Sequence, residues 1–208
     1  MFFGDATVKA TRTLSSDVGG IVKARQVLLL TQAFFFLSLL ICLSINHGRT
    51  AQTDGISFYG VYHGTAAILV MGFAASAAGL WRAASYFAEV NAPRLASQGL
   101  RVVALGLIAL LATPYNRGTF LNWTHMTVGV VVALLQLALS LRLLTRRQTL
   151  GSIVGFTIQL AGGLIAAASL PNWNFPYLLQ GETIYQIGFG WCLIEWTHAL
   201  GARRSDPT

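Results

Sequence analysis

The feature that most constrains this chain is a series of six long apolar runs separated by short polar connectors. A helix needs about 20 apolar residues to cross the hydrocarbon core of a bilayer, because each residue rises only about 1.5 Å. Hydrophobic residues make up 54% of the 208-residue chain and charged residues only 10%. A soluble domain carries about 25% charged residues. The sequence therefore predicts an all-α, polytopic integral membrane bundle of six transmembrane helices.

The third of the six predicted spans is the weakest, because it is uninterrupted only from Val102 to Thr113, a length of about 18 Å. Asn91 and Pro93 offer an N-cap and a first-turn proline, so this helix is expected to begin earlier. That extension carries Arg101 into the membrane. The other five predicted spans are Val27–Asn46, Val61–Trp81, Trp123–Leu144, Leu150–Leu170 and Thr183–Leu200.

The basic residues predict the orientation of the bundle. Twelve of the fourteen Lys and Arg residues fall on one side of the predicted spans, and only Arg49 and Arg117 fall on the other. Because cytoplasmic loops are enriched in Lys and Arg, both termini are expected to be cytoplasmic. The excess of Arg over Lys is typical of a GC-rich bacterial genome, so the predicted location is a bacterial cytoplasmic membrane. The predicted divisions are a cytoplasmic N-terminal segment 1–26, a transmembrane domain 27–200 and a cytoplasmic tail 201–208.

The same distribution argues against nucleic-acid binding. A nucleic-acid footprint needs basic residues gathered on one face with interleaved aromatic residues, and no such stripe is present despite the net charge of +7.

The two cysteines, Cys42 and Cys192, lie inside apolar runs at different depths. They are therefore expected to pack as small hydrophobic residues without a disulfide.

Three ionisable residues are predicted to lie within the membrane, where a charge costs several kcal/mol and marks a functional hypothesis. Counted from the outer boundary, Arg101 and Glu195 are each about 18 Å deep, and His198 follows Glu195 by one turn. This common depth predicts an ion pair between Arg101 and Glu195. The pair would serve either to fix helix packing or as part of a proton or anion relay.

A second group of polar residues is expected at the outer surface. The predicted second, fourth and sixth spans enter from outside, and their N-termini favour anions, so an anionic lipid headgroup is one expected ligand. A metal would need His63, His125 and Glu182 to converge, but no His-Glu-x-x-His motif is present and the three residues lie on separate helices, so no metal site is predicted. A haem held by His63 and His125 would be half exposed at the membrane edge, so no cofactor is predicted. The predicted binding residues are His63, Arg117, Asn122, His125 and Glu182.

The layout resembles the six-helix membrane proteins that include the DRAM and Sfk-type proteins and many uncharacterised bacterial relatives. The residues that carry this resemblance are Ile56-Ser57-Phe58-Tyr59-Gly60, Asn122-Trp123-Thr124-His125 and Gly181-Glu182. It implies cytoplasmic termini and a polar patch in the outer leaflet, and it implies no catalytic residues. In size and in its intramembrane acids the chain is also similar to the small membrane-embedded terpene cyclases, although no acidic motif aligns with theirs.

Three functions remain open from the sequence. The first is a lipid-interacting protein or an accessory subunit with a membrane-protein partner. The second is an enzyme acting on a membrane lipid or isoprenoid, with Glu182, Glu195 or His198 as the candidate acid or base. The third is a small proton-coupled transporter that uses Arg101, Glu195 and His198.

Overall fold

The computed structural model describes residues 4–90, 92–170 and 175–205, and the side chains of residues 18–90, 92–170 and 175–202. Within these ranges the chain is helical, and no strand is present in the part of the chain described. The eight helices are α1 Gly4–Ile45, α2 Arg49–Asp54, α3 Ser57–Val61, α4 Ala66–Glu89, α5 Arg94–Ala112, α6 Thr119–Arg146, α7 Leu150–Ala168 and α8 Leu178–Ser205.

Five of the helices are long and apolar enough to cross a membrane. They are Val18–Ile45 of α1, Ala66–Glu89, Arg94–Ala112, Thr119–Arg146 and Leu150–Ala168. The shortest of them has 19 residues and is about 28 Å long, close to the thickness of the hydrocarbon core. The chain is therefore a helical bundle with several membrane-spanning segments.

The sixth span remains a prediction, because α8 is not among these five helices. Polar side chains interrupt its apolar residues along the whole helix, at Gln180, Glu182, Gln186, Glu195 and His198. α8 nevertheless packs against α1, α6 and α7, and its side chains Phe189, Leu193 and Trp196 are buried in the core. Neighbouring helices thus cover much of a helix that would be too polar to face lipid on all sides.

The six long helices form a closed arrangement in which α1 contacts α4 and α8, α5 contacts α4 and α6, and α7 contacts α6 and α8. Large apolar side chains point outward from the spans, with Leu30, Leu40, Leu134 and Leu164 between 59% and 70% exposed. Many such side chains in water would form an apolar surface far larger than that of an ordinary soluble monomer. In a bilayer the same side chains contact lipid, which agrees with a multi-pass membrane protein.

Two helix starts bear on the sequence prediction: that of α1 differs from it and that of α5 agrees with it. α1 begins at Gly4, so residues 4–26, which were predicted as a segment separate from the first span, lie in the same helix as that span, and their cytoplasmic location stays a prediction. Gly20 allows this continuation to pack closely, because a Cβ there would lie 2.3 Å from Cγ1 of Val90 at the end of α4. α5 begins at Arg94 with Pro93 in the cap position, which confirms the early start of the third helix, while Asn91 lies outside the described residues.

The connector between α1 and α4 is structured by α2 and α3, and the end of the bundle that they cover is called the α2–α3 end below. Tyr59 and Thr65 are fully buried; the Tyr59 hydroxyl donates to the carbonyl oxygen of Asn46 at 2.8 Å, and the Thr65 hydroxyl donates to that of Tyr59 at 2.9 Å. A small second core fixes the connector against α1, α4 and α8, formed by Phe35, Leu39, Cys42, Ala51, Ile56, Tyr59, Leu69 and Leu179.

Candidate functional site

At the α2–α3 end, a serine and a histidine from distant parts of the chain form a direct hydrogen bond. Oγ of Ser57, the first residue of α3, lies 2.8 Å from Nε2 of His125 on α6. Nδ1 of His125 lies 2.7 Å from the carbonyl oxygen of Thr113 at the end of α5. Because a carbonyl oxygen only accepts, the proton is on Nδ1, and Nε2 accepts the hydrogen of the Ser57 hydroxyl. The start of α3, the end of α5 and the helix α6 thus hold the two side chains in place.

The carboxylate of Glu182, in the first turns of α8, holds the backbone just before Ser57. Its Oε2 accepts a hydrogen bond from the backbone N–H of Ile56 at 2.6 Å. Gly55 makes this approach possible, because a Cβ at that position would lie 2.5 Å from Oε2 of Glu182. Burial raises the pKa of Glu182 to about 7, and the hydrogen bond from Ile56 opposes this shift without cancelling it.

A tyrosine and an aspartate complete the polar cluster at the α2–α3 end, which comprises Asp54, Ser57, Tyr115, His125 and Glu182. The Tyr115 hydroxyl donates to Oδ2 of Asp54 at 3.0 Å, and the ring of Tyr115 lies 5.8 Å from that of His125. Burial, together with the negative charge of Asp54, raises the pKa of the Tyr115 hydroxyl. Tyr115 therefore remains a neutral donor over the whole physiological pH range.

Of the predicted binding residues, the structure brings two to this cluster, namely His125 and Glu182. His63 and Arg117 are exposed, and Asn122 is half-buried one turn before His125 on α6. No group of three His, Cys, Asp or Glu residues suited to a metal ion is found among the described residues. The role of the five residues as a ligand-binding set stays a prediction.

Sequence reasoning missed Ser57 as a site residue. A serine within a polar connector has no periodicity to distinguish it, and its partner lies 68 residues away. Gly55, two residues earlier, is a weak signal in the sequence, because glycine is favoured where the chain turns with a positive φ. In the structure its φ is +73°.

The predicted ion pair between Arg101 and Glu195 is not present. The Arg101 guanidinium lies 5.6 Å from the centre of the Trp81 ring on α4, whereas Glu195 packs against Gly151 of α7. The prediction used depth alone, and depth does not determine on which side of the bundle a residue lies. α5 packs mainly on α4 and α6, while α8 packs mainly on α7 and α1.

Glu195 instead lies at a groove between α1 and α8. This α1–α8 groove has a volume of about 340 Å³ and is lined by Gln32, Phe36, Ile187, Gly190, Trp191, Ile194 and Glu195. Five of these seven residues are apolar or lack a side chain, and the two polar ones, Gln32 and Glu195, are half-buried. His198, one turn beyond Glu195, is exposed.

A third set of polar side chains is buried between α6, α7 and α8. The amides of Gln136 and Gln186 exchange hydrogen bonds at 3.2 and 3.3 Å, and the Tyr185 hydroxyl donates to the carbonyl oxygen of Ala133. Gln159 is fully buried in the same set, and neither of its amide atoms makes a well-formed hydrogen bond to a described residue. Hydrogen bonds between neighbouring membrane helices stabilise their association.

The raised pKa of Glu182 gives a testable pH dependence of stability. A carboxyl whose pKa is higher in the folded state than its ordinary value of 4.5 binds its proton more tightly when folded, so ionisation opposes folding. We expect the free energy of unfolding in detergent to fall by about 3 kcal/mol as the pH rises through the window from 4.5 to about 7. Thermal unfolding at a series of pH values measures this change.

The matched variants for this measurement are Glu182→Gln and Glu89→Gln. Glu182→Gln removes the titrating group and should flatten the profile across this window. Glu89 is exposed at the end of α4, so Glu89→Gln should leave the profile of the wild type in place. A pH profile of Glu182→Gln identical to that of the wild type would contradict the assignment.

Comparisons with known proteins add no family to this description. No family model matches the chain, and neither the comparison with curated proteins nor that with solved structures gives a match.

Proposed function

We propose that this membrane protein binds an amphiphilic lipid or isoprenoid in the α1–α8 groove. The observation that carries the proposal is that two polar side chains, Gln32 and Glu195, line an otherwise apolar groove. Neither side chain has a hydrogen-bond or ion-pair partner among the described residues. An amide that faces hydrocarbon without a partner is costly, so a ligand group that pairs with Gln32 removes that cost, and Glu195 at the edge of the groove offers a negative charge to the same ligand.

The position of Gln32 supports a ligand inside the bilayer. Gln32 lies near the middle of the span Val18–Ile45, about 20 Å from either end of that helix segment. Its amide is packed over Gly190, where a Cβ would lie 2.7 Å from Cδ and Oε1 of Gln32. Glu195 follows Gly190 by five residues, or about 7.5 Å along α8. Both residues line the groove, with Gln32 on its α1 side and the carboxylate of Glu195 towards α7, close to Gly151.

The chemistry of the groove favours a ligand with an apolar chain and a donor group. Carboxylate oxygens only accept when ionised, and the amide of Gln32 both donates and accepts. An ammonium or hydroxyl group meets those requirements, while Phe36, Ile187 and Trp191 provide apolar surface for the chain. The volume of about 340 Å³ is within the range of about 300 to 1,000 Å³ that small-molecule sites occupy.

Photolabelling in nanodiscs tests this proposal directly. The probes are a long-chain alkylamine and an alkyl sulfate of equal length, each carrying a diazirine in the chain and a terminal alkyne. We expect the alkylamine to label peptides of α1 and α8 that line the groove, and the alkyl sulfate to label them much less. Glu195→Leu should reduce alkylamine labelling about tenfold, corresponding to a loss of about 1.4 kcal/mol of binding free energy.

A groove-filling variant provides the matched control. Gly190→Leu should abolish labelling because its side chain would occupy the space of the Gln32 amide. Gly19→Leu adds the same bulk on α1, where no atom lies within 4 Å of the new Cβ, and should leave labelling unchanged. Equal labelling by both probes, or full labelling of a folded Gly190→Leu variant, would overturn the proposal.

The other sequence-based functions stay predictions. The uneven distribution of Lys and Arg between the two sides supports cytoplasmic termini, and the excess of Arg over Lys supports a bacterial cytoplasmic membrane. Binding of an anionic headgroup by the predicted set of outer residues, an accessory role beside another membrane protein, and proton-coupled transport are not favoured over the groove by a specific contact.

A further inference from the structure

We propose that Ser57 and His125 form a nucleophile–base pair that cleaves acyl esters of membrane lipids at the α2–α3 end. This activity goes beyond the lipid binding proposed for the α1–α8 groove and does not depend on it, because the two sites share no residue.

The hydrogen bonds of the pair meet the geometric requirements of nucleophilic catalysis. A nucleophile must contact a base that accepts its proton, and a third group must orient the base. Oγ of Ser57 lies 2.8 Å from Nε2 of His125, and Nδ1 of His125 lies 2.7 Å from the Thr113 carbonyl oxygen. This carbonyl keeps the proton on Nδ1, so the lone pair of Nε2 faces the serine hydroxyl.

Several hydrogen bonds fix the backbone that carries Ser57. Glu182 accepts the N–H of Ile56, and the N–H groups of Phe58 and Tyr59 donate to the carbonyl oxygens of Gly55 and Ile56. Tyr59 is fully buried, which anchors α3 to the bundle. A pre-positioned nucleophile of this kind avoids the entropic cost of assembling the reacting groups.

The position of the pair in the bundle suggests the class of substrate. His125 lies six residues after the first residue of the span Thr119–Arg146, so it is about 9 Å from the end of that span. Acyl esters of membrane lipids lie at the boundary between the hydrocarbon core and the headgroups, at a similar depth. Ser57 and His125 are both half-buried, so the hydroxyl is not sealed off within the core.

The reaction is hydrolysis with water as the second reactant. Oγ of Ser57 attacks the ester carbonyl carbon while Nε2 of His125 takes the hydroxyl proton. The bond between the carbonyl carbon and the alcohol oxygen breaks, and His125 donates the proton to the departing alcohol. Water then attacks the acyl-Ser57 ester, His125 takes a proton from the water, and that proton returns to Oγ as the carboxylic acid leaves.

The decisive measurement is labelling of the purified chain in nanodiscs by a fluorophosphonate, with the modified peptide identified by mass spectrometry. We expect Ser57 to be phosphonylated, since a fluorophosphonate reacts with activated serine hydroxyls. His125→Ala should slow labelling at least about 100-fold, the contribution expected of a positioned base. Ser44→Ala, which removes an exposed hydroxyl near the end of α1, should leave the labelling rate unchanged.

Substrate turnover provides the second readout. Wild-type protein in vesicles of phosphatidylethanolamine and phosphatidylglycerol with radiolabelled acyl chains should release fatty acid, and Ser57→Ala should lower that release at least about 100-fold. Thermal unfolding checks that each variant is folded. Failure of the folded wild type to be labelled at Ser57 would overturn the proposed pair. Labelling at Ser57 without release of fatty acid would overturn the lipid ester as its substrate.

Discussion

Replacing Gly188 with leucine should prevent the bundle from folding, and replacing it with alanine should destabilise it by about 2 kcal/mol. A Cβ at Gly188 of α8 would lie 2.2 Å from the backbone nitrogen and 2.5 Å from the Cα of Gln159 on α7. Because the atoms that it meets belong to the backbone, no side-chain rotation relieves the contact. The two helices would have to move apart.

The same close approach recurs along the interface between α7 and α8. A Cβ at Gly162 would lie 2.3 Å from the backbone nitrogen of Tyr185, and one at Gly181 would lie 2.4 Å from that of Ala166. Small residues on facing helices allow the backbones to pack directly, which is a common basis of helix association in membranes. Separating α7 from α8 at Gly188 would therefore weaken contacts along much of the interface.

The control for this prediction is Gly129→Ala in the middle of α6. A Cβ at Gly129 would meet only Cδ2 of Leu110 at 3.8 Å, an ordinary van der Waals contact. Alanine is a better helix former than glycine by about 1 kcal/mol, so this variant should be as stable as the wild type or more so. Thermal unfolding in one detergent compares the two variants. Equal stability of Gly188→Ala and Gly129→Ala would contradict the prediction.

The spans of the bundle could be predicted from the sequence because long apolar runs have few structural alternatives. The runs that became α6 and α7 were located to within a few residues, whereas α4 begins at Ala66, five residues after the predicted start at Val61, and ends at Glu89, eight residues after the predicted end at Trp81. The difference at the start of α4 arises because residues 57–61 form the separate helix α3 and Thr65 occupies the cap position. Hydropathy alone does not reveal such a break.

The candidate site was predicted less completely, for a different physical reason. Counting residues along a span gives the depth of a side chain, and that sufficed to place His125 and Glu182 at the same end of the bundle. It does not give the direction in which a helix face points, so Arg101 was paired with Glu195 although they face different neighbours. The contact between Ser57 and His125 depends on how the short helix α3 packs against α6, and no local sequence pattern predicts that packing.

The second large effect is expected at Gly55, which adopts a φ of +73° and a ψ of −162°. Residues with a side chain rarely adopt this region, at a cost of about 1 to 3 kcal/mol. In Gly55→Ala the new Cβ would also lie 2.5 Å from Oε2 of Glu182, which is held by the N–H of Ile56. We therefore expect Gly55→Ala to lose about 3 to 5 kcal/mol of stability, since strain and lost contacts add.

Gly118 allows the backbone strain to be measured apart from the contact with Glu182, because it has a similar conformation and no such neighbour. Its φ is +108° and its ψ is 164°, and no atom lies within 4 Å of the Cβ that alanine would add. Gly118→Ala should therefore show the backbone strain alone. The difference in the free energy of unfolding between Gly55→Ala and Gly118→Ala measures the contact with Glu182, and about 2 kcal/mol is expected from the displaced hydrogen bond.

A double-mutant cycle with Glu182→Ala completes the argument. If the carboxylate causes the excess loss, removing it should make Gly55→Ala no more damaging than Gly118→Ala, with a coupling energy of about 1 to 2 kcal/mol. Additive effects of Gly55→Ala and Glu182→Ala would show instead that the alanine at position 55 makes no unfavourable contact with the carboxylate. The cycle thus tests whether Glu182 fixes the turn that leads directly into Ser57, the residue whose hydroxyl contacts His125.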